Sequence, residues 1–119
     1  MAATREANLL HVGDLEIRPG EGLVVAAGRV VPMSARELGV LVALAGRAGR
    51  VVSRRELYET VWGGPLRDGD RSIDVYVHKV RAKLEAALPE RRFIHTHVGF
   101  GYRLSPELSH TFHNPATAT

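Results

Sequence analysis

The stretch "DRSIDVYVHKVRAKLE", residues 70–85, constrains the fold more than any other. At 100° per residue, Ile73, Tyr76, Val77, Val80 and Leu84 gather on one apolar face. The opposite face gathers Arg71, Val75, His78, Lys79 and Ala82. The spacing predicts a helix over 70–88, with Asp70 as its N-cap and a fade near Leu88-Pro89. A helix of this kind must bury one side and leave a basic side free. The valine on that free side is unexpected, because valine is a poor helix former with nothing to gain from water.

Two more helix starts lie upstream. "SARE" at 34–37 and "SRRE" at 53–56 both fit the capping box, in which a serine oxygen accepts from the N3 amide and a glutamate reaches back to the cap amide. Leu38, Leu41, Val42 and Ala45 follow the first at helical spacing, and that helix should end near Gly46 to Gly49. Arg47 and Arg50 suit the negative end of its dipole. Leu57, Val61 and Trp62 follow the second, which stops at Gly63-Gly64-Pro65. Trp62 is expected to close the core between this helix and the C-terminal hairpin.

Before the helices, "LLHV", "LEIR", "LVVAA" and "RVV" are short apolar runs separated by turn residues, the signature of a four-stranded antiparallel meander. After them, Phe93–His97 and Tyr102–Leu104 read as two strands joined by "VGFG". Residues 1–8 and the polar tail 105–119 are expected to be flexible, leaving 9–104 as one domain. The class is α+β: four strands, three helices and a β-hairpin. The second and third helices form a helix-turn-helix with a long turn, and the hairpin is a candidate wing. Such a motif places its second helix in the DNA major groove.

Charge supports this order. The 16 Lys/Arg against 13 Asp/Glu give only +3, but Arg71 to Arg103 holds seven cations and three acids, a local excess of four. Val75, between Arg71 and Lys79, suits a surface that reads thymine methyls beside hydrogen-bonding base edges. The plainer reading is a stray exposed apolar residue, which is common. Arg71 and Ser72 stand at the helix start, where free amides favour phosphate. Asp74 is read as structural, with His78 one turn on as partner.

Other classes find little support. There is no cysteine, and two of the six histidines lie in the tail, so no metal site is expected. "VGFGYR" is no dinucleotide fingerprint, because no helix follows it. No nucleophile with its base stands out, so neither an enzyme nor a cofactor is expected. The longest apolar stretch, "LGVLVALAG", is too short to span a bilayer, and the first residues lack a signal-peptide core. A cytoplasmic protein without membrane contact is expected.

"GRVVSRRELYETVWGG", "DRSIDVYVHKVRAKLE" and "IHTHVGFGYRL" together resemble the OmpR/PhoB family of winged-helix DNA-binding domains, the output domains of bacterial two-component response regulators. The resemblance runs from about Leu9 to Leu104. It implies sequence-specific binding to double-stranded DNA, with helix 70–88 in the major groove. It places Arg71, Ser72, Val75, Tyr76 and Lys79 at bases and nearby phosphates. It places Arg54, Trp62, Arg81, Thr96 and Tyr102 at the backbone. It further implies RNA polymerase contact through loop 63–70, and two copies on direct-repeat sites.

Two departures stand out. Many members carry a wing arginine that enters the minor groove, whereas this chain has Val98 beside His97, which implies weak reading there. No phosphoacceptor receiver domain fits in the eight or so residues before the first strand, which leaves an excised output domain or a stand-alone regulator as alternatives. The rival function is a winged helix that binds protein through the same face.

Overall fold

Alternation explains the N-terminal sheet. The structure, a computed structural model, describes residues 9–108. Strands β1 (Leu10–Val12), β2 (Leu15–Arg18), β3 (Leu23–Ala26) and β4 (Arg29–Val30) pair in the order β1-β2-β3-β4, all antiparallel. Leu15 and Ile17 on β2 and Val24 and Ala26 on β3 point to one side and are buried. Their alternate neighbours face outward, as a one-sided sheet requires.

Three helices follow this sheet, α1 (Ala35–Ala45), α2 (Arg54–Trp62) and α3 (Ser72–Ala87), and α1 packs against both β1 and the other two helices. The Ser34 box forms in full: Ser34 Oγ accepts from the Glu37 amide at 3.1 Å, and Glu37 Oε1 accepts from the Ser34 amide at 2.7 Å. At the second start only half a box forms. Ser53 Oγ accepts from the Glu56 amide at 3.0 Å, but the Glu56 carboxylate turns to Arg47 at 2.8 Å. A salt-bridging cation outcompetes one backbone amide. Val40, Leu41 and Leu44 of α1 meet Ile73, Val77, Val80 and Leu84 of α3 in one core with Leu57, Phe93, Ile94 and Leu104.

The buried Glu37 ties α1 to α3. Lys83 Nζ donates to its carboxylate at 2.7 Å and to the Pro32 carbonyl at 2.9 Å. Burial alone would push the Glu37 carboxyl up. The donors from Lys83 and Ser34 outweigh it and hold the group below its ordinary value.

The C-terminal sheet departs from the two-stranded hairpin expected. A short strand β5 (Val51–Val52), unforeseen between α1 and α2, pairs with β7 (Gly101–Leu108), which pairs with β6 (Arg91–His97), giving the order β5-β7-β6. Its partner lies far along the chain, so no neighbouring run announces it as β3 announces the equally short β4. β7 also runs through residues placed in a flexible tail from 105, where Pro106 looks like a breaker. Pairing shifts between Arg92 and Ile94, so neither Phe93 nor Pro106 has a regular partner, and both Phe93 and Ile94 are buried. Beyond Tyr102 and Arg103, β7 has no β5 neighbour, and an irregular edge tolerates proline. The remaining flexible segments expected, 1–8 and 109–119, lie outside the described residues.

The helix start also differs from expectation. α3 begins at Ser72, with Arg71 at the cap position and no side-chain cap of its own. Asp70 still caps, from one residue further out: its Oδ1 accepts from the Ser72 amide at 2.8 Å.

Candidate nucleic-acid interface

α3 presents the two faces that its sequence periodicity requires. Ile73, Val77, Val80 and Leu84 are buried, while Arg71, Val75, His78, Lys79 and Ala82 are exposed. Val75 is 48% exposed and lies between the two cations. Lys79 Nζ stands 4.9 Å from the centre of the Tyr76 ring. That contact holds the ammonium along the helix without neutralising it. Ser72 and Tyr76 are half-buried at the edges of this stripe.

Trp62 is not where it was expected. Its ring stacks on Tyr58 at 4.9 Å, meets the edge of Tyr76 at 5.6 Å and carries the Arg36 guanidinium at 4.5 Å. It therefore joins α1, α2 and α3 rather than closing against the hairpin. The spacing Tyr58 to Trp62, one helical turn, accounts for the stack. Arg36 also donates to the Val61 carbonyl at 3.1 Å. Sequence reasoning missed Arg36, although a cation in the first turn of a helix opposes the dipole and signals another task.

Arg54, Arg81, Thr96 and Tyr102 all cross-link elements. Arg81 Nη2 donates to Thr96 Oγ1 at 2.6 Å, which pins the hairpin to the third turn of α3. Asp74 collects the others. Its carboxylate accepts from Arg54 Nε at 3.0 and 3.2 Å and from Arg54 Nη2 at 2.8 Å. It also accepts from the Tyr102 hydroxyl, and Arg71 Nε lies 3.3 Å away. His78, the partner expected for Asp74, is not among these contacts. Arg54 further donates to the Asp70 carbonyl at 2.9 Å, fixing the end of the 63–70 loop.

The electrostatics follow from this geometry. The Arg54 hydrogen bonds hold the Asp74 carboxyl below its ordinary value, against its burial and with help from Tyr102. The Tyr102 hydroxyl is pushed up to about 12, first by burial and then by its bond to Asp74. The hub is therefore ionic at any physiological pH: one anion, two guanidiniums and a neutral phenol.

The wing tip is built differently. β6 and β7 join through Val98-Gly99-Phe100, with the Phe100 amide donating to the His97 carbonyl at 2.8 Å. Gly99 has φ 82°, which the turn requires. Val98 is 88% and Phe100 76% exposed. At the root, Gly101 has φ 148°, and a Cβ there would stand 2.0 Å from the Val52 carbonyl oxygen. The histidines of β6 are engaged locally: His95 Nε2 with the Ser105 carbonyl at 3.0 Å, and His97 Nε2 accepting from Arg103 Nε at 3.1 Å. Among the described residues no group of three or more His, Asp or Glu could hold a metal, and no helix is long and apolar enough to cross a membrane.

This arrangement of a basic helix, a hub and a wing has counterparts among known proteins. Residues 28–104 match the family described as transcriptional regulatory protein, C terminal. Over 100 residues the chain is 33% identical to the DNA-binding response regulator MtrA of Mycolicibacterium smegmatis, covering 84% of this chain and 44% of MtrA. Over 81 residues it is 36% identical to the response regulator SaeR of Staphylococcus aureus, covering 68% of this chain and 36% of SaeR. The chain thus spans less than half the length of these relatives. The DNA-binding domain of CpxR from E. coli superposes with a TM-score of 0.74 at 29% identity, over 85% of this chain and 98% of that one. The RstA DNA-binding domain of Klebsiella pneumoniae, solved in complex with the RstA box, gives 0.73 at 30% identity, over 82% and 96%.

Proposed function

The chain belongs to the family of transcriptional regulatory protein C-terminal domains, and from that premise we propose that it reads double-stranded DNA as the output domain of a two-component regulator. The observation that carries this is the exposed stripe of α3, where Arg71, Val75 and Lys79 stand free of the core on a helix whose other face is fully packed. In the major groove, Val75 offers a methyl surface to thymine. Lys79 reaches a guanine edge or a phosphate, and Arg71 and Ser72 meet groups near the helix start. Tyr76, half-buried under Lys79, contacts the groove edge. Trp62, Arg54, Arg81, Thr96 and Tyr102 hold the helix and wing in register against the backbone.

Finer roles rest on the family resemblance. The exposed residues of loop 63–70 are the surface for RNA polymerase, and two copies of the chain occupy direct repeats. The site of action is the cytoplasm, and the signal arrives by phosphorelay through parts of the regulator outside this segment. The chemistry is binding, not catalysis.

The test is selection of sites from a random duplex library, followed by binding of the winner and a scrambled duplex at two salt concentrations. The winner should bind more tightly, and both complexes should weaken with salt by about 0.9 logarithmic units per neutralised phosphate for each tenfold rise. Val75→Ala should relax the selected sequence more than it lowers general affinity. Equal, weak binding of both duplexes would overturn the reading in favour of a protein partner for the same face.

A further inference from the structure

We propose that Asp74 is a positioning residue that stands in for phosphate inside the free protein, and so restrains binding to unselected DNA. The inference rests on the DNA-binding reading and deepens it. One carboxylate receives donors from three elements of the proposed interface: Arg54 from α2, Arg71 from the start of α3 and Tyr102 from the wing. Two guanidiniums and one carboxylate leave a net charge of +1 where the two arginines alone would offer +2.

The two arginines are held unequally. Arg54 makes three bonds to the carboxylate and one to the Asp70 carbonyl, and its side chain is only 37% exposed. Arg71 makes a single ion pair at 3.3 Å and its side chain is 76% exposed. An exposed pair of that kind is weak and easily exchanged for another anion. Arg54 is thus fixed in place, and its bonds orient the carboxylate. Arg71 is only tethered, and exchanges Asp74 for an acceptor presented within its reach. A cation already neutralised by an internal anion releases fewer counterions on meeting an arbitrary phosphate. Asp74 therefore lowers affinity for any duplex and lowers it least for the duplex that places an acceptor correctly. Lys79 is the contrast: among the described residues no carboxylate pairs with it, so it is available to every phosphate.

Asp74→Asn keeps the shape and removes the charge. Its affinity for a scrambled duplex should rise roughly fivefold at low salt, the scale of one unit charge near a phosphate. Its salt slope should steepen by up to about 0.9, and the ratio of selected to scrambled affinity should shrink. A purely structural role would instead lower both affinities together, and that result, or an unchanged scrambled affinity, overturns the proposal. If Asp74→Asn does not fold, Arg71→Gln and Lys79→Gln decide the matter. Lys79→Gln should flatten the slope on scrambled DNA by about 0.9 and Arg71→Gln by less than half of that. Equal losses overturn the proposal. If the unaltered chain itself shows no salt-dependent binding, it is the DNA reading that fails.

Discussion

The root and the tip of the wing are a few residues apart and follow opposite rules. At the root, Gly101 lies against the Val52 carbonyl, and the buried Tyr102 donates to Asp74 on α3. At the tip, the side chains of Val98 and Phe100 are largely exposed. Backbone contact with Val52 and the bond from Tyr102 to Asp74 tie the root to β5 and α3. The tip inherits a position and contributes only a surface. A binding surface needs such a framework beneath it, because its geometry is only as precise as its support.

Breaking the root should have the largest effect. Gly101→Ala forces a Cβ into the Val52 carbonyl at a φ that L residues avoid, so β5 and β7 must separate. The loss should be about 4 kcal/mol or more, read by denaturant unfolding, with DNA binding lost alongside. Acid should act on the same place more gently. The folded Asp74 carboxyl lies below its ordinary value. Its stabilisation is therefore complete above pH ~4 and is lost as pH falls through the lower folded value. Asp74→Asn should lose less stability than the unaltered chain between neutral and acid pH, by about 2 kcal/mol, the scale of hydrogen bonds to a charged group. A parallel pair of acid-unfolding curves would show that the hub contributes nothing. The smallest change in stability belongs to the tip. Val98→Arg should stay within about 0.5 kcal/mol of the unaltered chain. It should raise preference for A·T-rich flanks, where a narrow minor groove attracts arginine. A stability loss beyond that range would mean that the tip is less free than its exposure indicates.

Legibility in the sequence divides along the same line. The three helices and both faces of α3 could be read because each repeats a period that burial enforces, and the meander because turn residues separate its short apolar runs. Val75 and Lys79 emerged from that periodicity on the exposed side. The hub did not, because its members come from positions 54, 71, 74 and 102, and no local pattern reports a contact between distant segments. Asp74 was read as structural but given His78, its neighbour along the helix, as partner. Trp62 was assigned to the hairpin side because an aromatic closing a core carries no label for direction. β5 was missed because its only partner, β7, lies far along the chain, and β7 was cut short because a proline usually ends a strand. Here a shifted register makes the proline harmless.

The pairing of Val51 with Arg103 has a consequence for how the protein comes into being. The N-terminal meander closes through neighbours in the chain, each strand meeting the one just made. During synthesis from the N-terminus it can assemble early. β5 has no partner until β7 leaves the ribosome, and closure over that distance is entropically slow. The start of α2, the hub and the wing root therefore reach their final arrangement only with the last strand. A nascent chain stalled before residue 101 would lack both the β5–β7 pairing and the Tyr102 member of the hub.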